Sequence, residues 1–409
     1  MNNYLHKIQL AGDWAPCERD VETLFNSTAI ILNIEGPVLT HGTSKFVKQK
    51  KAGPSIFNRA FPMFSQFGIA VMANNHIMDY GHDGLVETLN TFDHKCNSRG
   101  WHCLGAGFTN ALACKPLVLE DSGLKIGFLS RCETQFGIAS SSRTGVAAFD
   151  STIYQQIHDL KKKVDIVIVS IHAAAEMVPW PSPRRQLTWR SLIDAGASVI
   201  HGHHAHVPQG WEEYNGGLIF YGLGNFCVDP QKWSWHPQGL WSFVPELDFT
   251  DGVIKVKIAT TVIEELGNSI LVREANGAEH NEHMAYLDEC NRPLYDPILL
   301  EGLWQEASVL MYHNYFAKWL GFNSRSFLEI GASQFRAKLS AIKRGLMEGG
   351  SQSEHPMNLG KFLLWYHLFA CDSHNDAIGT ALGVLSGELE DRRNKETARL
   401  ANEWIVLDS

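Results

Sequence analysis

The sequence predicts an α/β body carrying a C-terminal helical appendage, and three observations lead there. Up to about Glu265, short β-branched runs alternate with helix-length patterns. Several of those runs are almost continuously apolar, as strands covered on both faces are. Beyond about residue 265 helix-length patterns take over, so the chain divides into a body, 1–265, and a mainly helical region, 266–409.

The elements follow in order. KIQLAG (7–12) and AIILNIEG (29–36) read as strands, and SIFNRAFPMFSQFG (55–68) as a helix interrupted by Pro62. IAVMAN (69–74) is the third strand, and DGLVETLNTFDHKC (83–96) a helix whose first turn Asp83 can cap. VLEDSGLKIG (118–127) reads as a hairpin leading into the strand LKIGFLS (124–130). STIYQQIHDLKKK (151–163) is helical and DIVIVSIH (165–172) a strand. PRRQLTWRSLIDAG (183–196) opens on Ser182-Pro183 and closes at Gly196, an N-cap with proline at the first helical position and a terminating glycine. SVIHG (198–202) and LIFYGLG (218–224) are strands, and LDFTDGVIKVKI (247–258) alternates around an Asp-Gly turn as a hairpin does. In the tail, LLEGLWQEASVLMYHNYFAKWLG, SFLEIGASQFRAKLSAIKRGLM and NLGKFLLWYHLFACDS are helical, with GGSQSEHP (349–356) a loop between the last two.

Composition narrows the function. A net charge of −9 argues against nonspecific nucleic-acid binding, which needs a basic stripe. The eight cysteines are scattered with no C-x-x-C pair, as buried thiols in a reducing compartment are. The start, MNNYLHKIQLAGDW, has no apolar run of signal-peptide length, and no segment approaches the about 20 apolar residues of a membrane helix. The expected location is the cytoplasm, at most peripheral at the inner membrane surface, with no transmembrane segment.

The strand ends carry the chemistry. In an open α/β sheet, ligands bind beyond the carboxyl edges of the strands. The first strand ends in Gly12-Asp13, the second runs into Asn33-Ile34-Glu35-Gly36, and the third into Asn74-Asn75-His76. DIVIVSIH ends at His172, and SVIHG leads into His203-His204-Ala205-His206, within HGHHAHV. Carboxylate, amide oxygen and neutral imidazole together suit Mn, Zn or Fe, and a carboxylate can bridge two ions. One or two divalent ions are therefore the expected cofactor. A pair about 3.5–4 Å apart would activate water and clamp the oxygens of a substrate undergoing displacement. His201 and His203 read as turn or supporting residues.

The stretches GDWAP (12–16), LNIEGPV (32–38), MANNHIMDYGHDGL (72–85), GAG (105–107), SIHAAAE (170–176), SPRRQLTWRSLIDAGASVIHGHHAHVPQG (182–210) and IFYGLGNF (219–226) resemble the poly-γ-glutamate capsule-synthesis proteins of the CapA/PgsA type, in order and spacing, over roughly residues 5–265. That family is similar in fold to the calcineurin-like metallophosphoesterases, which implies an α/β sandwich with metals at the strand ends. The resemblance implies that Glu35 bridges two metals, that Asn75, His172 and His204 complete one site, and that Asp13 and His206 serve the other. It further implies that His76, held by Asp79 with Tyr80-Gly81 turning beneath it, protonates a leaving group. One departure stands out: metallophosphoesterases carry Asp-x-His where this chain has Asp13-Trp14-Ala15, leaving the Asp13 site one ligand short.

The resemblance implies a metal-dependent hydrolase or transferase acting on an anionic polymer or a phosphorylated or γ-glutamyl substrate, with capsule-synthesis proteins as partners. A non-catalytic polymer-binding accessory subunit and an intracellular phosphoesterase are the alternatives. Lys45, Lys48, Lys50 and Lys51 in SKFVKQKKAGP read either as a solvated run or as an attractive edge for a polyanion. Arg184 and Arg185 read as surface residues, and Asn225 as a support of the rim. Glu176 would orient His172 or line the pocket, a choice the sequence leaves open.

Overall fold

In the computed structural model the described residues are 4–48, 55–62, 64–96, 100–250, 252–319 and 359–407. Two sheets form the body. The larger runs in the order β2 (Asp20–Thr23), β17 (Ser269–Glu274), β16 (Lys255–Leu266), β15 (Trp241–Asp248), β1 (Lys7–Ala15), β3 (Ser27–Ile34), β4 (Ser65–Val71), β5 (Trp101–Leu104), with β14 (Asn225–Val228) also pairing β1. The smaller runs β12 (Trp211–Tyr214), β13 (Gly217–Phe220), β11 (Val199–His203), β10 (Ile166–His172), β8 (Leu124–Cys132), β7 (Leu117–Asp121). A short ribbon joins β6 (Ala106–Gly107) to β9 (Gly145–Val146).

Alternation along the strands explains the layers, because successive side chains point to opposite faces. Ile8 and Leu10, Ala29 and Ile31, and Ile69 and Val71 share one core with Ile126, Phe128, Ile168, Val199, Leu218 and Phe220 of the smaller sheet. The intervening Ile30, Leu32, Ala70 and Met72 pack with Leu85 and Phe92 of the Gly81–Cys96 helix. On the far side, Val167, Val169, Ile171 and Ile200 meet Ile153, Ile157, Trp189 and Leu192 of the Thr152–Lys161 and Pro183–Asp194 helices. The result is helix, sheet, sheet, helix. β1, β3, β4 and β5 run parallel, as do β8, β10, β11 and β13, so each sheet brings several carboxyl ends to one edge.

The structure has the expected 83–96, 151–163 and 183–196 helices as Gly81–Cys96, Thr152–Lys161 and Pro183–Asp194, the last capped by Ser182 with Pro183 behind it. Both hairpins form, as β7–β8 and β15–β16, although Asp251 of the second turn lies outside the described residues. The expected helix over 55–68 does not form. Pro62 would remove a helical hydrogen bond, and Asn58 is instead tied to the loop after β3, its side-chain amide donating to the Glu35 carbonyl at 2.9 Å. Phe61 packs on Phe92 and Trp101, and Phe64 on Trp14 and Phe226. The segment is an apolar strap that enters β4 at Ser65.

The sheet also continues past residue 265. β16 ends at Leu266 and β17 returns beside it, so helices begin only at Gly277. The Gly277–Asn291 helix closes the core between the sheets with Tyr286, Leu287 and Cys290. The helices Pro297–Met311, Leu359–Ala370, Asp372–Ser386 and Lys395–Trp404 form a separate cluster that takes in Val178 and Trp180, from the loop after β10. The appendage thus docks on the rim where the sheets end. Among the described residues no helix is long and apolar enough to cross a membrane. The helical pattern over 326–347 and the loop 349–356 lie outside the described residues.

Candidate metal centre

Each candidate side chain leaves the carboxyl end of a strand or the first turn beyond it. At Gly12 the backbone passes so close to the next segment that a β-carbon would stand 1.9 Å from the Gly224 carbonyl oxygen. Asp13 donates its amide to that same carbonyl at 3.1 Å, which fixes it at the rim. Beyond β4, Asn74 builds a turn: its Oδ1 accepts from the amides of His76 at 3.1 Å and Ile77 at 2.9 Å, while its Nδ2 donates to Ile34 O at 2.8 Å. That turn brings Asn75 Oδ1 to 3.0 Å from His172 Nε2 and fixes the backbone of His76. His172 ends β10 and His203 ends β11. In the following loop, His204 and His206 hold φ of 89° and 59°. Left-handed conformations cost non-glycine residues about 1–3 kcal/mol each and persist where the surroundings impose them.

Six of the expected residues come together and are buried: Asp13, Glu35, Asn75, His172, His204 and His206. His172 Nε2 lies 3.0 Å from Asn75 Oδ1 and 3.8 Å from Glu35 Oε1. His206 Nε2 lies 3.5 Å from Glu35 Oε1, and its Nδ1 lies 3.5 Å from Asp13 Oδ2 and 3.0 Å from Asn225 Oδ1. Asn225 therefore supports the rim through His206. Two ligand groups share Glu35: Glu35 with His172 and His204, and Asp13 with Glu35 and His206. In each group one potential ligand atom per residue lies within 4.8 Å of the others. A third, Glu176 with His204 and His206, reuses both loop histidines. Glu176 thus lines the pocket beside His204, 3.9 Å from Nδ1.

The electrostatics are those of a site short of positive charge. Burial opposes ionisation of Asp13, yet the hydrogen bond and charge of His203, then His206 and Asn33, outweigh it and hold the carboxyl below its ordinary value. Burial drives His172 and His204 well below the usual imidazole range, reinforced by neighbouring histidines, so both stand as neutral donors. Burial also works against a proton on His206, but Glu35, Asp13 and Glu176 prevail and lift it to about 9. A proton on His206 supplies the charge that the carboxylates call for, and a cation there would do the same. His204 Nδ1, moreover, is buried with no hydrogen-bond partner among the described residues. The donor set fits a divalent ion of borderline hardness.

His76 and Asp79 sit together as expected: Nδ1 and Oδ2 are 2.7 Å apart, and the same oxygen accepts the Ile56 amide at 2.7 Å. Lys45 and Lys48 are exposed, and Lys50 and Lys51 lie outside the described residues. His201 is structural, between Ser170 Oγ at 3.1 Å and the Ala11 carbonyl at 3.0 Å. His203 touches the site directly, with Nδ1 3.1 Å from Asp13 Oδ1. Asn33 links the two sides, donating to Asp13 Oδ1 at 2.8 Å and lying 3.3 Å from His172 Nδ1.

Sequence reasoning missed Glu133 and Gln135, which approach His204 Nε2 at 3.4 and 3.1 Å. A signal was present: β8 runs parallel to β10 with Cys132 opposite His172, so the residue after it reaches the same rim. Arg185 is not a simple surface residue either, since its guanidinium binds Glu133 at 3.1 Å.

Two helix-covered sheets with a carboxylate–imidazole cluster at their strand ends define a metallophosphoesterase-like α/β sandwich. The family model for the bacterial capsule synthesis protein PGA_cap matches residues 3–230, and the chain belongs to that family. It is 32% identical over 241 residues to "PGA biosynthesis protein CapA" of Bacillus subtilis (strain 168), covering 57% of this chain and 62% of that one. It is 32% identical over 222 residues to "Capsule biosynthesis protein CapA" of Bacillus anthracis, covering 52% and 53%. Against "Probable polyglutamine synthesis accessory protein" of Mycobacterium tuberculosis it is 30% identical over 246 residues, covering 54% and 62%. The alignments thus span 53–62% of the length of these relatives.

Proposed function

We propose that this chain is a metal-dependent hydrolase or transferase of capsule-type polymer synthesis, acting on a γ-glutamyl or phosphorylated anionic substrate. The observation that carries this reading is Glu35, one buried carboxylate common to two ligand groups. The names of the Bacillus relatives, which speak of PGA and capsule biosynthesis, support the substrate class. Divalent ions such as Mn, Zn or Fe, when bound, would supply Lewis acidity toward water and a substrate oxygen.

The residues divide the remaining work. Glu35 with Asn75, His172 and His204 would hold one ion, and Glu35 with Asp13 and His206 the other. Asp79 fixes the Nδ1 side of His76, which leaves Nε2 to carry a proton toward a departing group. Lys45, Lys48 and Lys51 would favour approach of a polyanion. The chain would work in the cytoplasm or at the inner membrane surface beside other capsule-synthesis proteins. A second reading, a polymer-binding accessory subunit without turnover, is favoured by the mycobacterial relative's name.

The test is metal analysis of purified protein beside His204→Ala, followed by assays with Mn²⁺ or Zn²⁺ on p-nitrophenyl phosphates and γ-glutamyl oligomers. Turnover lost in both Glu35→Ala and His76→Ala supports the enzyme. Polymer binding without turnover supports the accessory reading, and protein that takes up no metal refutes the shared premise.

A further inference from the structure

Glu133 belongs to neither ligand group, yet it is fully buried at the rim. Its amide donates to the His172 carbonyl at 3.1 Å, which sets it beside the cluster. Its two oxygens face opposite ways. Oε1 accepts from Gln135 Nε2 at 2.9 Å and stands 3.4 Å from His204 Nε2. Oε2 accepts from Arg185 at 3.1 Å, from the Ser373 amide at 3.0 Å and from the Ser373 hydroxyl at 2.7 Å. Ser373 is the second residue of the Asp372–Ser386 helix, whose N-cap, Cys371, makes no side-chain capping bond. A carboxylate 240 residues away in sequence therefore satisfies one of the amides that a helix start leaves open.

We infer that Glu133 is a positioning residue of the metal centre and that it makes the Asp372–Ser386 helix a working part of that centre. The inference rests on the metal-centre reading above. A histidine that ligates through one ring nitrogen usually has the other tied to a carboxylate or carbonyl, which fixes its tautomer and angle. His204 has Nδ1 buried with no hydrogen-bond partner among the described residues, 3.9 Å from Glu176, and its Nε2 toward Glu133. Gln135 Nε2 is 3.1 Å from that same Nε2, but one nitrogen cannot both accept from an amide and donate to a carboxylate. With a cation on Nδ1 the proton must sit on Nε2, so Glu133 takes the bond and Gln135 serves Glu133. Arg185 and Ser373 hold that carboxylate in place. The family match ends at residue 230, so Ser373 adds to the site from outside the shared body.

The experiment compares full-length wild type, Glu133→Ala, Glu133→Gln, Ser373→Ala and the Glu133→Ala/Ser373→Ala pair. Mn²⁺ affinity is read by titration calorimetry, and the His204 tautomer by ¹⁵N NMR of the Zn²⁺-loaded chain. Expected are a loss of about tenfold or more in affinity for Glu133→Ala, less for Glu133→Gln, and a few-fold for Ser373→Ala. The pair should bind no more weakly than Glu133→Ala alone, because the serine acts through the glutamate. In wild type the His204 proton should be on Nε2. If Glu133→Ala does not fold, Glu133→Gln and Ser373→Ala decide. Wild-type affinity in these variants, additive losses, or a proton on Nδ1 overturns the positioning role while leaving the metal centre standing. Wild type that binds no Mn²⁺ overturns both.

Discussion

Gly12→Ala tests how the fold builds one half of the candidate metal centre. The substitution adds a single methyl group with no change of charge. That methyl would lie 1.9 Å from the Gly224 carbonyl oxygen and 3.2 Å from Ser242 Oγ, and the first of these is backbone, which cannot rotate away. Real β-carbons essentially never approach a heavy atom closer than 3.0 Å, so β1 and the 224–226 segment must part by roughly 1 Å. Three contacts ride on that separation: the 3.1 Å amide bond from Asp13 to Gly224, the 3.1 Å approach of His203 to Asp13, and the 3.0 Å pairing of Asn225 with His206.

Overpacking of this kind costs about 1–3 kcal/mol. The functional loss should exceed it, because a misplacement of about 1 Å in a reacting constellation can cost on the order of 10²-fold in rate. Calorimetric titration with Mn²⁺ should show the Asp13–Glu35–His206 side weakened and the Glu35–His172–His204 side retained, with thermal unfolding displaced downward. Gly12→Ala protein with unaltered stability and unaltered affinity on both sides would refute the claim that this close approach sets the Asp13 position.

Three other outcomes follow from the same geometry. The metal-free chain should lose stability on both sides of neutrality. His172 and His204 are depressed in the folded state, so their contribution is lost as pH falls below 6.5, whereas His206 is raised to about 9 and its contribution drains away as pH climbs from 6.5 through 9. Melting temperature against pH in EDTA reads this, and an alkaline decline that survives in His206→Gln counts against the assignment. If the proposed turnover is observed, Asp79→Asn, nearly isosteric, should lower kcat by about 10²-fold or more with little change in KM, since it disturbs the proton on His76 rather than binding; an unaltered kcat removes Asp79 from the proposed mechanism. Glu212→Ala should cost about 2–3 kcal/mol in urea denaturation, because it removes a buried carboxylate from the half-buried Arg190, held at 3.0 and 2.6 Å, and from the buried Tyr221 hydroxyl at 2.6 Å. A loss under about 1 kcal/mol would mean that the pair is solvated in solution.

The body was legible because its signals are local and redundant. Short, almost continuously apolar and β-branched runs such as AIILNIEG and DIVIVSIH mark the strands whatever lies beside them, and Ser182-Pro183 with Gly196 punctuates one helix at both ends. The candidate ligands were legible for a related reason: one rule, that chemistry gathers at carboxyl strand ends, was applied to five strands at once. The misreadings have a common cause too. SIFNRAFPMFSQFG has helix-like spacing, but its partners, Phe92, Trp101 and Phe226, are distant in sequence and override local preference. Arg185 looked like an ordinary charged residue in the first turn of a helix, because its partner Glu133 comes 52 residues earlier and Ser373 comes 188 later. Glu133 is the instructive omission. The rule that found Asp13, Glu35 and His172 reaches it as soon as β8 is followed to its end. What no pattern within the chain foretells is the bond to Ser373, since a helix whose own cap is a cysteine advertises nothing about a carboxylate that will close it. Contacts between the body and the appendage exist only once both have folded, so the part of the site that crosses that boundary can be read from the structure alone.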